Sequence, residues 1–546
     1  MNNSQSSKAL IVGFDGATFD VIHPLVEAGR LPNLARLMRE GAWGTLHSTV
    51  PPISPSAWTT FATGKNPGRH GVFDFRRLSE TYAWQARPTQ IRHQTLWRLL
   101  SEADRRVIAV DVPFTYPPEP VNGMMITGYP TPRTPETVFT HPADLPARLA
   151  EAGFDLTLGW PEDRIDVHPD FFRAWESVMD ERERLLIHLI ENEPWDLFMV
   201  VFGITDTLAH TLWHYLDPAH PAYHDAQADR YREALFHGYE LADRGLGALW
   251  SRIDPSTHLI VLSDHGFGTI RPRQWLFRFL EERGWLRYPQ PSGIGAILAP
   301  LRKQALKLYT EVGWLRRLIR EMRPNTKGAM KAALAKGGML AETSGLDAPH
   351  SPVIPSDMGT HLYLNRTERF ADGFLSPAEA DALAEEIRDA LLAARDPVDG
   401  QPVVRAVHRR DEVYTGAEVD HAPDLIVTYA NRYEPGKTSA LLNPRLTGGH
   451  APEGILLAWG PAVRPGSAPA TSIVHVAPTV LSLMDEPVPP DMDGARLDRW
   501  LDSAWVSVNP VRTADRSAVR DDTETDLSGD EQDAVEAQLR ALGYIE

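Results

Sequence analysis

The chain has 546 residues, 42% hydrophobic and 23% charged, proportions of a globular protein rather than a fibrous or disordered one. Its net charge of −18, from 55 Lys and Arg against 73 Asp and Glu, disfavours nucleic-acid phosphate and anionic membrane as partners outside a local basic patch. Cysteine is absent, which excludes disulfides, thiolate metal sites, iron–sulfur clusters, a cysteine nucleophile and a cysteine-derived formylglycine, and leaves His, Asp, Glu or hydroxyl oxygen to hold any metal.

The first residues, through Lys8, contain no apolar signal-peptide core, and no apolar run approaches the ~18 residues of a spanning helix, so the expected location is the cytoplasm. Ala9 to Phe14 is a short continuous apolar run followed at once by Asp15-Gly16. It reads as a buried parallel strand whose C-terminal end delivers a carboxylate. Helical periodicity follows from Pro32 to Glu40. From Pro51 to Gly64 the chain is dense in hydroxyls, and Lys65 to Gly71 continues it. Pro55 suits the first position of a helix, which predicts Ser54 as its N-cap, and such a terminus attracts phosphate and lowers the cost of a serine alkoxide. His70 reads as structural.

Glu181 to Asn192 is helical in pattern, and the strand-like Trp195 to Phe202 leads to Asp206. Asp206 and His210 lie four apart and share a helix face, so they can bind one metal; His214 extends that face as a supporting or surface residue. His258 to Leu262 is strand-like and leads to Asp264-His265 at a turn. Around 290–350 the alternation breaks. Leu301, Ala305, Leu308, Val312, Leu315, Ile319 and Met322 form one apolar stripe, and from Arg302 to Lys336 ten Lys and Arg stand against two Glu, about +8. Three readings stay open for 301–336: a helix packed on the core, a lid that attracts anionic substrate, or peripheral contact with a membrane or partner. The charge has no nucleic-acid motif behind it.

Roughly 355–435 reads as a small α/β unit with strands at His361 to Leu364 and Asp424 to Thr428 and a helix from Ser376 to Ala394; His421 is a loop residue. His450 follows Gly448-Gly449, whose missing side chains let backbone approach a crowded site, and Gly454 to Trp459 is a further strand candidate. Asn509 to Leu527 is a polar linker before a helix started by a Ser528/Glu531 capping box. The expected fold is α/β, a doubly wound mostly parallel sheet with helices on both faces. Residues 1–288 and 436–506 form the expected core, 289–435 a helical insertion followed by a small α/β cap, and 507–546 a linker and C-terminal helix.

In such a sheet ligands bind beyond the C-terminal ends of the strands, where the acidic and histidine clusters fall. Two neighbouring divalent metals explain that inventory economically: roughly 3.5–4 Å apart, they clamp a phosphoryl group and activate a nucleophile. The set Asp15, Ser54, Asp206/His210, Asp264-His265 and His450, in this order, resembles the alkaline phosphatase superfamily. It looks most like the type I phosphodiesterase/nucleotide pyrophosphatase branch. Val12 to Gly16, Thr63 to Gly71, Ser263 to Phe267 and Ala477 to Thr479 carry the likeness, which runs from about Ala9 to Leu497.

The resemblance implies one metal on Asp206, His210 and His450, and another on Asp15, Asp264, His265 and the Ser54 oxygen. It implies that Ser54 attacks phosphorus, giving a covalent phospho-serine that metal-activated water releases. The metals are expected to be two zincs, although these ligands also suit manganese or iron. The substrate is expected to be a small phosphodiester or pyrophosphate, including nucleotides. Nucleotide pyrophosphatases usually carry Thr as nucleophile and Asn three residues later; here those places hold Ser54 and Ala57. Ser56, Thr59, Asn66 or a backbone N–H are the candidates to replace that clamp, with Ser56 and Asn66 taken as substrate contacts.

A phosphomonoesterase or a phosphotransferase on the same core stays open, as does a metal-binding regulatory or interaction protein with little activity. A complete set of seven coordinating positions argues against the last. A sulfatase needs Arg four residues after the nucleophile, where this chain has Trp58. Specificity is expected in the cap and around Pro113 to Pro118. The oligomeric state is open, with the C-terminal helix a candidate to dock on a neighbouring subunit.

Overall fold

A computed structural model describes residues 7–86, 94–132, 136–156, 169–218, 223, 225–269, 272–273, 275–289, 346–396, 400–430, 434–435, 448–514 and 527–542. The basic stretch 301–336 lies outside the described residues. Ala9–Phe14 forms the middle of a ten-stranded sheet, pairing in parallel with Leu197–Phe202 on one side and His258–Leu262 on the other. Val107–Val112 and then Gly123–Thr127 continue the parallel run beyond Leu197–Phe202. In Ala9–Phe14, Leu197–Phe202, His258–Leu262 and Val107–Val112 every residue is buried, as parallel strands covered on both faces must be.

Alternation along each strand sends side chains to two cores. Leu10, Val12 and Phe14 join Phe198, Val200 and the helices Phe19–Glu27, Pro32–Glu40 and Asp225–Trp250 on one face. Ala9 and Ile11 join Met199, Val201 and the helices Ser54–Thr63, Leu96–Glu102 and Val476–Leu483 on the other. The sheet is therefore doubly wound and mostly parallel.

Glu453–Trp459 departs from the parallel run: it is antiparallel to both His258–Leu262 and Ala42–His47. Its N-terminal end thus lies at the edge where the parallel strands have their C-terminal ends. That is why His450, which precedes its strand, reaches the same place as Asp15, Asp206 and Asp264, which follow theirs.

A second, antiparallel sheet has the order Val353–Pro355, His361–Leu364, Leu425–Tyr429, Val404–Arg409. The helix Pro377–Ala393, opened by a Ser376/Glu379 capping box, buries Ala380, Ala384, Ile387 and Leu391 against it, and Trp275–Glu282 adds Leu276 and Leu280. Its other face meets the main body through Tyr414, Phe73 and Ile426, with the Tyr414 hydroxyl donating to the Val50 carbonyl at 2.7 Å.

The segment Lys65 to Gly71 clamps these parts together. The Lys65 ammonium pairs with Asp491, the Asn66 N–H and Arg69 Nε both donate to Asp493, and Gly68 lies so close to Thr415 that a Cβ would come within 2.8 Å of its backbone. His70 Nδ1 accepts from the Val72 N–H, so Nε2 carries the proton and donates to Thr60 Oγ1 at 2.9 Å. Its role is structural.

The C-terminal helix Gly529–Leu542, begun by the Ser528/Glu531 capping box, docks on its own chain rather than offering its apolar face to a neighbour. Val535 and Leu539 are buried among Phe75, Ala86, Phe114 and Met358. Tyr116 Oη donates to Glu531 Oε1 at 2.5 Å, and Gln538 Nε2 donates to the Thr131 carbonyl at 2.7 Å. Because Leu539 is fully buried, Leu539→Ala is expected to weaken docking by about 2–5 kcal/mol. Limited proteolysis of the tail checks this: the variant is cut faster than the wild type. No helix among the described residues is long and apolar enough to cross a membrane.

Candidate active site

The parallel strands Ala9–Phe14, Leu197–Phe202 and His258–Leu262 each lead into a turn that fixes an acidic group. Asp15 leaves the central strand with its N–H donating to the Phe202 carbonyl at 3.1 Å and its carbonyl accepting from Thr205 Oγ1 at 2.5 Å. Gly16 turns the chain with φ of 64°, and a Cβ there would meet the Phe267 ring at 3.0 Å and Asp206 Oδ1 at 3.1 Å, so only glycine fits. Its N–H donates to Asp264 Oδ1 at 3.2 Å. Asp206 sits in the first turn of the helix Ile204–Leu212 immediately after its strand, and His210 lies one turn on, with Nε2 3.4 Å from Asp206 Oδ1. Asp264 and His265 are fully buried at the turn after His258–Leu262.

His450 arrives through a two-stranded antiparallel pairing, Gly266–Thr269 with Gly448–Ala451, which sets it opposite Phe267. Its ring stacks on His265 with centroids 3.6 Å apart, and its Nε2 lies 3.0 Å from His210 Nε2 and 3.6 Å from Asp206 Oδ1. His265 Nε2 lies 3.3 Å from Asp264 Oδ2, 3.8 Å from Asp15 Oδ1 and 3.1 Å from Ser54 Oγ. Asp15, Ser54, Asp206, His210, Asp264, His265 and His450 therefore share one buried locus.

All three imidazoles are anchored alike. His210 Nδ1 faces the Gly448 carbonyl at 3.1 Å, His265 Nδ1 the Gly266 carbonyl at 3.0 Å, and His450 Nδ1 the Pro52 carbonyl at 2.9 Å. A carbonyl only accepts, so each Nδ1 carries a proton and each Nε2 is the atom turned toward the carboxylates. Gly448 permits this approach: a Cβ would lie 2.5 Å from the Ala209 carbonyl oxygen and 2.6 Å from Trp213 Cβ.

The electrostatics describe a site short of positive charge. Burial, followed by the neighbouring Asp206 charge, pushes the Asp264 carboxyl up to about 7. Burial and the charges of Asp264 and Asp206 raise Asp15 well above the usual carboxylate range. Burial pushes His265 down to about 3, and burial with His265 and His210 nearby lowers His450. Asp15 and Asp264 form no ion pair with Lys or Arg among the described residues, and the buried Asp15 Oδ1 and Asp264 Oδ2 accept no hydrogen bond from them.

Two groups offer ligand atoms all within 4.8 Å of one another: Asp15, Asp264 and His265, and Asp206, His265 and His450. The distances from His210 to Asp206 and His450 add it to the second. Carboxylate oxygens without donors, Asp15 Oδ1 and Asp264 Oδ2, and two imidazole nitrogens 3.0 Å apart that need a proton or a metal ion between them, fit divalent cations on nitrogen and oxygen ligands.

Other expectations fare differently. The helix expected to begin after a Ser54 cap spans Ser54–Thr63 with Ile53 at the capping position, so Ser54 is its first residue and not its cap; the hydroxyl bonds His265 instead of the helix backbone. Asn66 is not brought into the site. Its Oδ1 accepts from the Gly68 and Thr415 N–H groups and its Nδ2 donates to the Val413 carbonyl, which commits the amide to a helix cap and the adjoining loop. Ser56 is buried two residues beyond Ser54, about 200° around the helix from it, so the two hydroxyls do not converge. Ala57 offers no side-chain donor, and its N–H is taken by the Ile53 carbonyl. His214 stands in a short turn against the Tyr215 ring, outside both metal-competent groups, and His421, expected in a loop, ends the short helical turn Val419–His421 and pairs with Glu418.

One residue of the site was missed by sequence reasoning. Trp58 Nε1 donates to Asp15 Oδ2 at 3.0 Å. The available signal was its spacing of four from Ser54, which puts both on one helix face.

A family model described as type I phosphodiesterase/nucleotide pyrophosphatase matches residues 9–450. No curated protein matches the sequence. Among solved structures, inactive murine ectonucleotide pyrophosphatase/phosphodiesterase 5 in complex with AMP is 14% identical, with 91% of this chain and 100% of that one covered and a TM-score of 0.46. The human protein of that name has the same identity, coverage and TM-score, and another structure of the murine protein scores 0.47.

Proposed function

The chain belongs to the type I phosphodiesterase/nucleotide pyrophosphatase family of hydrolases, and from that membership we propose that it cleaves phosphodiester or pyrophosphate bonds at a two-metal site through a covalent phospho-Ser54 intermediate. The observation that carries this reading is the convergence of three Nδ1-anchored imidazoles and three buried carboxylates beside one serine hydroxyl. Asp206, His210 and His450 would hold one ion; Asp15, Asp264, His265 and the Ser54 oxygen would hold the other. Zinc is the preferred identity, because neutral imidazoles and carboxylates are its usual nitrogen and oxygen ligands. Two such ions, when bound, favour the ionised hydroxyl and neutralise charge developing on phosphoryl oxygens.

The chain supplies position and field. Ser54 opens a helix, so its oxygen sits at the positive end of the macrodipole, where an alkoxide costs less. It attacks phosphorus as the bond to the leaving oxygen breaks, and water then releases the phosphoryl group from serine. Burial of Asp264, His265 and His450 keeps bulk water from competing at the ligand atoms.

Three carboxylates and an ionised Ser54 carry four negative charges, which two divalent ions offset. No Lys or Arg among the described residues pairs with Asp15 or Asp264. A nucleotide-bearing diester or pyrophosphate fits this site and the family. Purified protein supplied with zinc or manganese is expected to cleave bis(p-nitrophenyl) phosphate with kcat/KM at least about tenfold above p-nitrophenyl phosphate, a difference of about 1.4 kcal/mol. The reverse order would turn the assignment to a phosphomonoesterase.

A further inference from the structure

The geometry points to Trp58 as the positioning residue that presents a single oxygen of Asp15 to its metal ion, an inference that rests on the two-metal reading above. Trp58 lies one helical turn after Ser54, on the same face. Its ring is buried, meets Phe61 edge-on with centroids 5.7 Å apart, and fills space left by Gly13, where a Cβ would come within 2.7 Å of Cη2. An indole has one polar atom, and here it is spent on Asp15 Oδ2.

The two oxygens of Asp15 therefore differ. Oδ2 is held by the indole at 3.0 Å, whereas Oδ1 accepts no hydrogen bond from the described residues and faces His265 Nε2 at 3.8 Å. The Asp15 backbone is already tied at both ends, through its N–H to Phe202 and its carbonyl to Thr205. The remaining freedom is rotation of the carboxylate, and the Trp58 N–H removes it. Oδ2 is thereby withheld from the ion and Oδ1 is turned toward it. Nucleophile and ligand orientation are keyed to one rigid helix, so their relative placement does not depend on a loop.

The test is zinc binding to metal-stripped full-length protein, followed by competition with a chromophoric chelator. Two variants are compared with wild type: Trp58→Phe, which loses ring size and N–H, and the 3-benzothienylalanine isostere at position 58, which keeps the ring shape and loses only the N–H. Wild type is expected to bind two zinc ions. In both variants the affinity for one ion is expected to fall about ten- to hundredfold while the other is unchanged. The isostere retains the packing, so it answers the question even where Trp58→Phe does not fold. Wild-type affinity for both ions in the isostere overturns the inference and makes Trp58 a packing residue. A wild-type protein that binds no zinc or manganese overturns the two-metal reading itself, and so the two failures are told apart.

Discussion

Ser54→Ala is expected to lower kcat on a diester by about 10⁴- to 10⁶-fold, the range seen when a nucleophile is deleted from a preorganised site. The size of the effect follows from the absence of a substitute hydroxyl among the described residues. Ser54 Oγ lies 3.1 Å from His265 Nε2. Thr60 is bonded to His70, and Thr63 donates to the Thr59 carbonyl. Thr59, five residues from Ser54, points about 140° away around the helix. KM is expected to change little, because the metal ions, when bound, and not the hydroxyl would hold the substrate phosphate. Steady-state kinetics with bis(p-nitrophenyl) phosphate checks the loss. A variant retaining a tenth of wild-type kcat would mean direct attack by water, with no phospho-serine.

Stripping the metals is expected to abolish turnover reversibly and to change how stability depends on pH. A ligand that binds only the folded state at a hundredfold excess over its Kd stabilises by about 2.7 kcal/mol per site, so the melting temperature falls when a chelator is added and recovers with zinc. Without metal, burial and the Asp206 charge push the Asp264 carboxyl up from an ordinary 3.8 to about 7, and burial with the Asp264 charge raises Asp15 as well. A carboxyl raised on folding opposes the folded state as pH climbs from its unfolded value through its folded one. His265 has the opposite sign: lowered to about 3 from an ordinary 6.5, it opposes folding as pH falls from 6.5 toward 3, and His450 acts in the same sense.

Between about 4 and 6.5 the two pairs offset one another. Above 6.5 only the carboxylates remain, so the stripped protein is expected to lose stability as pH rises from 6.5 through about 7, and zinc is expected to remove that loss. Differential scanning calorimetry across this range, with and without zinc, measures both. A stripped protein whose melting temperature rises across it would contradict the assignment of a carboxylate cluster short of positive charge.

What the sequence disclosed follows from how parallel strands work. A fully apolar run such as Ala9 to Phe14 ending in Asp15-Gly16 has few alternatives to a buried strand with a carboxylate at its end, and the same holds for Leu197 to Phe202 before Asp206 and His258 to Leu262 before Asp264. The Asp206/His210 spacing likewise places both on one face of a helix before any coordinate is known. Strand direction is another matter. Nothing local in Glu453–Trp459 says that it runs antiparallel, yet that direction brings His450 into the site from the start of a strand.

Partners of side chains were illegible for the same reason. Asn66 has the chemistry of a phosphate clamp and the geometry of a helix cap, and only the fold shows which is used. The capping box of the C-terminal helix says where it starts and not what covers Val535 and Leu539; Phe75, Phe114 and Met358, far away in sequence, do so. The role of Trp58 was hidden because the Asp15 oxygen that it bonds lies on another element.

The most direct measurement is X-ray diffraction at and below the zinc absorption edge from crystals of zinc-loaded protein. Two anomalous peaks are predicted, one bounded by Asp206, His210 and His450 and the other by Asp15, Asp264, His265 and Ser54. Anomalous density elsewhere with none among these seven residues would contradict the account.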